Sequence, residues 1–273
     1  MAKIINNNMT NNEYHSKKDY LSKSALDIIN ISPAHFKAWL TGETKKPTSD
    51  MMFGSLVHSL VLNQNDYAIM PECDRRTTAG KAIYEQFLTE SAGKEIICTA
   101  EQFKTAQQIK TAVFNHPKAA ALLRQGITEH PIFTEMHGVN VRIKPDFVNT
   151  EFNCLVDLKT TKSVDLKTTK SADPIEFAKS VWNYRYHVQA AFYLDVYNAA
   201  NNTSLTDFYF IAVDKEAPFN TEVYILDPEA IERGRAEYLK NIETYKYCQW
   251  SENWPGYTGG QAINIISLPN WAK

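Results

Sequence analysis

An apolar run, Leu155-Val156-Asp157-Leu158, ends in Lys159-Thr160-Thr161. Along a strand successive side chains face opposite sides, so Asp157 and Lys159 share one face while Val156 and Leu158 point into the core. The chain must therefore fold around a sheet that holds one carboxylate and one ammonium side by side at its rim. Eleven residues earlier stands Asp146, in Arg142-Ile143-Lys144-Pro145-Asp146, a short segment expected to pair with the Asp157 strand as a hairpin.

Two carboxylates from adjacent strands can hold Mg²⁺, which takes oxygen ligands, keeps several waters and binds substrate phosphates. A metal there lowers the pKa of a water, polarises phosphorus and stabilises a leaving oxygen, and Lys159 would orient or deprotonate that water. Asp-x-Lys alone is a common surface triplet. Further candidates come from Tyr186-His187-Val188-Gln189-Ala190-Ala191-Phe192-Tyr193, where Gln189 and Tyr193 lie one helical turn apart and share a face. Upstream, Gly54-Ser55-Leu56-Val57-His58 has the same spacing on an apolar stretch predicted to be helical.

Taken in order, these motifs resemble the RecB-type branch of the PD-(D/E)xK nucleases, and within it the exonuclease VIII (RecE) nuclease-domain family. The resemblance extends from about Leu21 to Leu268-Pro269-Asn270-Trp271-Ala272. It implies an α/β fold, a mixed central sheet flanked by helices with a restriction-endonuclease-like core, and hydrolysis of DNA phosphodiesters. It implies catalytic roles for Asp146, Asp157, Lys159, Gln189 and Tyr193, and metal ligation by His58, Glu129, Asp146 and Asp157. Glu129 precedes a strand, where the family places an acidic residue; Glu135 competes but sits near a hairpin turn. Arg75, Arg76 and Lys81 are expected to contact DNA phosphates. The phosphate-loop reading of that segment fails, because the required glycine is Arg75.

The resemblance also implies Mg²⁺, with Mn²⁺ as a substitute, and a 5′ to 3′ exonuclease acting on linear duplex ends in phage-type recombination. A single-strand annealing protein and a homo-oligomer are the expected partners. Relatives with an iron–sulfur cluster carry a Cys-Pro where this chain has Ser32-Pro33, and Cys73, Cys98, Cys154 and Cys248 are scattered, so no cluster is expected. Two rival readings remain: a nuclease fold that grips DNA without cutting it, and an endonuclease with the same metal chemistry.

Composition sets the frame. The 273 residues, 44% of them hydrophobic and 22% charged, suit one globular domain, expected over 14–273 behind a disordered tail of residues 1–13. No apolar run is long enough for a membrane helix, and the Asn-rich start lacks a secretory signature, so a cytoplasmic location is expected. With 29 basic against 31 acidic residues, DNA binding would need a local basic surface rather than a basic whole. The last residues, rich in Trp, Gly and Pro, read as a tail docked on the surface.

One oddity complicates the motif. Val156 to Ser163 reads VDLKTTKS, and Val164 to Ser171 repeats it residue for residue, offering Asp165 and Lys167 as an alternative pair. The first copy follows Cys154 and Leu155, which extend a buried strand, and keeps the short distance to Asp146. The second lies nearer Gln189. Burying Thr161 to Ser163 in the strand would cost unsatisfied hydroxyls and a lysine, whereas a loop absorbs eight residues cheaply, which favours Asp157 and Lys159.

Overall fold

The structure is a computed structural model that describes residues 9–42, 47–161, 171–259 and 263–269. It opens on four helices started by hydroxyl caps: α1 (Asn11–Ser16), α2 (Lys23–Ile31), α3 (Pro33–Thr41) and α4 (Ser49–Val61). Thr10, Ser22, Ser32 and Thr48 each accept a backbone N–H of the first turn, and Pro33 occupies a position where its missing N–H leaves no bond unmade. The first of these helices begins at Asn11.

A small parallel pair comes next, β1 (Tyr67–Ile69) and β2 (Ile96–Cys98), with α5 (Thr78–Glu90) between its strands. Then come α6 (Ala100–Asn115) and α7 (Pro117–Leu122), separated where Pro117 stops the first helix. Next are β3 (Gly126–Thr128) and the hairpin β4 (Ile132–Met136) and β5 (Val139–Ile143). The hairpin turns at His137 and Gly138, both with positive φ, as a two-residue loop between twisted strands requires.

The expected hairpin partner of Asp157 needs correction. Residues 139–143 pair with β4 instead, because Pro145 carries no N–H for a ladder and separates β5 from the next strand. The strand that does pair antiparallel with β7 (Cys154–Thr161) is β6 (Phe147–Asn149), with Phe147 opposite Val156. Asp146 is thereby the residue that enters β6.

After α8 (Pro174–Asn183) and α9 (Tyr186–Asn201), β8 (Phe208–Asp214) and β9 (Thr221–Ile225) complete the main sheet, and α10 (Pro228–Ser251) closes the sequence of elements. Strand order is β3-β6-β7-β8-β9, with β7 and β8 parallel and the other pairs antiparallel, so the sheet is mixed. Its two faces are read off by alternation. Val156, Leu158, Ile211 and Val213 pack on α4 and α6 through Leu56, Val57, Ile109 and Val113. Leu155, Phe208, Phe210 and Ala212 pack on α8 and α9 through Phe177, Ala190 and Leu194. A third apolar cluster joins α2, α3, α9 and α10 to the β4–β5 hairpin.

Among the described residues, the carboxyl-terminal segment docks at its start. Trp254 is stacked on Phe36 at 5.6 Å, but Ile263, Ile265 and Ile266 are at least 91% exposed. Among the described residues no helix is long and apolar enough to cross a membrane.

Candidate active site

The face of β7 that carries Asp157 and Lys159 is covered by α9, so the pair is enclosed rather than open at a rim: Asp157 is 3% exposed. Its carboxylate lies 2.6 Å from the Lys159 ammonium. Gln189, on the facing turn of α9, completes a triangle. Its amide N–H donates to Asp157 Oδ1 at 2.5 Å, and its carbonyl accepts from Lys159 Nζ at 3.1 Å. One neutral amide satisfies both charges and holds them at a fixed separation.

Asp146 enters the same site from the next strand. Its Oδ2 accepts the Leu158 N–H at 2.8 Å and lies 3.4 Å from His58 Nδ1. Burial pushes its carboxyl up to about 6; Asp157 pushes the same way, while His58 and Lys159 oppose. Burial alone would lower the Lys159 ammonium, but Asp157, Tyr186 and Asp146 hold it above the usual lysine range. The geometry of Gly54 and His58 explains their spacing. A Cβ at Gly54 would stand 3.4 Å from Thr160 Oγ1, so α4 lies close on β7, and His58 one turn later reaches Asp146.

Tyr193 sits a turn beyond Gln189, its phenol in contact with the Lys144 backbone. Burial holds it well above the ordinary tyrosine range, with Tyr14, Asp157 and Asp146 adding to the effect. Glu129 is close by through its backbone, its N–H donating to the Asp146 carbonyl at 2.9 Å. Its carboxylate, however, is bound to Lys144, which also binds Asn11, and is not shared with His58 or Asp157. The three cations expected on DNA stand elsewhere, around the start of α5. Arg75 lies over Tyr84 at 4.5 Å, Arg76 is tied to Asp74 at 3.2 Å, and Lys81 is exposed. Asp165 and Lys167 lie outside the described residues.

Three neighbours had no place among the expected site residues. Tyr186 offers its ring to Lys159, with Nζ 4.5 Å from the centroid, and its position three before Gln189 on one helix was the available signal. Lys144, two residues before Asp146, neutralises Glu129. Lys23 is bound to Asp27 at 2.7 Å and to the Tyr184 carbonyl at 2.7 Å; burial lowers its ammonium, Asp27 opposes this, and Lys159 contributes a like charge.

The fit to a divalent cation rests on the donor set. Asp157 Oδ2 is a buried oxygen whose close partner is the Lys159 ammonium at 2.6 Å, and Asp146 is a second carboxylate at the entrance to the adjacent strand. Among the described residues no three His, Cys, Asp or Glu side chains converge as a closed metal cage. Two carboxylates side by side are the kind of donor set on which a divalent cation is held with water and phosphate completing its shell.

A family model described as "PDDEXK-like domain of unknown function (DUF3799)" matches residues 22–265. Among solved structures, a candidate exonuclease of Eubacterium rectale is 15% identical, with a TM-score of 0.64 over 96% of this chain and 95% of that one. An alkaline exonuclease of Laribacter hongkongensis is 10% identical, covering 89% of this chain and 96% of that one. Its TM-score of 0.28 is too low for any structural argument. No curated protein matches.

Proposed function

Because this chain belongs to the PDDEXK-like domain family and shares its nuclease-type fold, we propose that it is a metal-dependent deoxyribonuclease acting on the ends of linear duplex DNA. The observation that carries the reading is the bridge by which Gln189 holds Asp157 and Lys159 together beside Asp146. Mg²⁺, or Mn²⁺ in its place, would be held by Asp146 and Asp157 and would supply an acidified water and charge neutralisation at phosphorus. His58 supports Asp146 from outside that pair. Glu129 would join the ligands only by leaving Lys144.

The chain's own groups do the rest. Lys159 places its ammonium where charge develops on the phosphate, and Gln189 keeps that ammonium from collapsing onto Asp157 alone. Leu158 N–H fixes the orientation of the Asp146 carboxylate. Tyr193 closes the far side of the site with a phenol that stays protonated at neutral pH. The 5′ to 3′ polarity, a role in phage-type recombination, a single-strand annealing partner and a homo-oligomer belong to the same proposal, and rest on the family resemblance of the motifs.

The test is incubation of the purified protein with end-labelled linear duplex and with covalently closed circles, with and without Mg²⁺. Release of nucleotides from linear DNA alone, only with metal, is the expected result. Cutting of closed circles would favour the endonuclease reading. Binding to linear DNA without cleavage in any divalent metal would favour a non-cutting DNA-binding protein.

A further inference from the structure

The helix that brings Gln189 to Asp157 and Lys159 has an unusual beginning. Arg185 starts α9 in the left-handed region, with φ of 56° and ψ of 43°, and among the described residues no side chain caps that end. Asn202 closes the same helix in the same conformation, but asparagine tolerates it because its short polar side chain bonds locally. Arginine has no such tolerance. The turn at Arg185 must therefore be enforced from outside α9. It bears directly on the site, because the Arg185 carbonyl accepts the Gln189 N–H at 3.1 Å, the bond with which the helix starts.

Two carboxylates from other helices hold the guanidinium. Its Nε binds Asp27 of α2 at 2.8 Å, and its Nη1 binds Glu237 of α10 at 2.7 Å. Asp27 is shared with Lys23, which also holds the Tyr184 carbonyl, so it secures the chain before the turn. Glu237 is aimed at α9 itself. Besides Arg185 it has His187 Nε2 at 3.6 Å, and Arg233, one turn away on its own helix, pairs with it at 2.8 Å. It stands three residues after Gly234, where α10 comes too close to the His187 carbonyl for a Cβ, and so projects from the face that meets the first turn of α9. Burial would raise its carboxyl, but Arg233, Arg185 and His187 keep it below the usual glutamate range, so the carboxylate stays ionised.

We propose that Glu237 is a positioning residue: through Arg185 it enforces the left-handed turn, and the turn holds Gln189 between Asp157 and Lys159. It acts at a distance, by one ion pair and one backbone hydrogen bond. Without it Arg185 keeps one anchor of two, the turn relaxes towards the conformations arginine prefers, and the Gln189 amide leaves its place between the two charges. That this lowers turnover rests on the nuclease reading. That it displaces Gln189 does not.

The test reads Gln189 directly. Protein labelled with ¹⁵N in its glutamine side chains is observed by NMR without metal or DNA, and the Gln189 amide is identified by its absence in Gln189→Glu. The expected result is that Glu237→Ala shifts this resonance, and that Glu237→Gln, which keeps the shape and loses the charge, shifts it less in the same direction. Arg233→Ala, which leaves Arg185 paired, should not move it. With Mg²⁺ and linear duplex, Glu237→Ala should lower kcat by about tenfold, on the scale of a slightly misplaced group, and leave KM within about twofold. A Gln189 resonance unmoved in Glu237→Gln and, where it folds, in Glu237→Ala overturns the role, as does an equal shift in Arg233→Ala or an unchanged kcat; hydrolysis by the parent then leaves the nuclease reading standing. A moved resonance in a protein whose parent does not hydrolyse DNA upholds the positioning of Gln189 and overturns the nuclease reading alone.

Discussion

Gln189 shows why three residues act here as one group. With its amide between Asp157 and Lys159, removing any member leaves a buried charge with fewer partners. Lys159→Ala should therefore lower the single-turnover cleavage rate by at least about 100-fold while DNA affinity changes by less than about threefold, because its charge matters where negative charge develops. A weaker Kd with an unchanged rate would make Lys159 a phosphate contact only. Asp146 yields a pH prediction. Its folded-state pKa of about 6 lies above its ordinary 3.8, so the folded protein takes up a proton between these values, and stability is lost as pH rises through 6. Asp146→Asn should abolish cleavage yet raise the Tm more at pH 8 than at pH 5; an equal or opposite shift would contradict a carboxylate held against its preference. Alternation put Asp157 and Lys159 on one face of a strand and helical spacing put Gln189 and Tyr193 on one face of a helix, but it took the family resemblance to join them into one site. Lys144 capturing Glu129 was not, because that contact depends on how the turn before β4 lies over the β5–β6 junction, which no local pattern records.

At the level of elements, α9 carries most of the site, and its placement depends on two close approaches. Its first turn is pressed by α10 at Gly234, where a Cβ would meet the His187 carbonyl oxygen at 2.2 Å. Its start is set by the left-handed Arg185, which ends the preceding turn and aims Tyr186 and Gln189 at β7. Gly234→Ala should cost about 1–3 kcal/mol of stability, the usual scale for overpacking, and should lower cleavage as well, because Gln189 moves with the helix. Full activity with a lowered Tm would show that the site does not depend on this contact. Helix starts were readable because hydroxyl caps and Pro33, Pro117, Pro174 and Pro228 mark them. Of the two strands that flank Asp146, β5 was readable from its period-two pattern and the hairpin turn before it, and β6 was not. A three-residue β6 has no periodicity to detect, and only the missing N–H of Pro145 hints that the ladder is interrupted there.

On the scale of the whole molecule, one mixed sheet serves two apolar layers, and β7 lies at its centre with both faces covered. The tandem VDLKTTKS repeat makes the threading of that central strand the main question. A slip of eight residues is even and preserves which side chains face each layer, so alternation cannot choose between the copies. Burial can. Cys154 and Leu155 are fully buried in β7 ahead of the first copy, and the matching positions ahead of the second are Lys162 and Ser163, which would place an ammonium and a hydroxyl in the same core. Deleting either copy gives the identical polypeptide and cannot decide the matter; point substitution can. The direct measurement is the cleavage rate of linear duplex DNA by Asp157→Asn and by Asp165→Asn beside the parent. Asp157→Asn should lose at least about 100-fold, the low end of what a positioned ionisable group contributes, while Asp165→Asn stays within about twofold. The reverse pattern, with Asp157→Asn active and Asp165→Asn dead, would contradict the site described here.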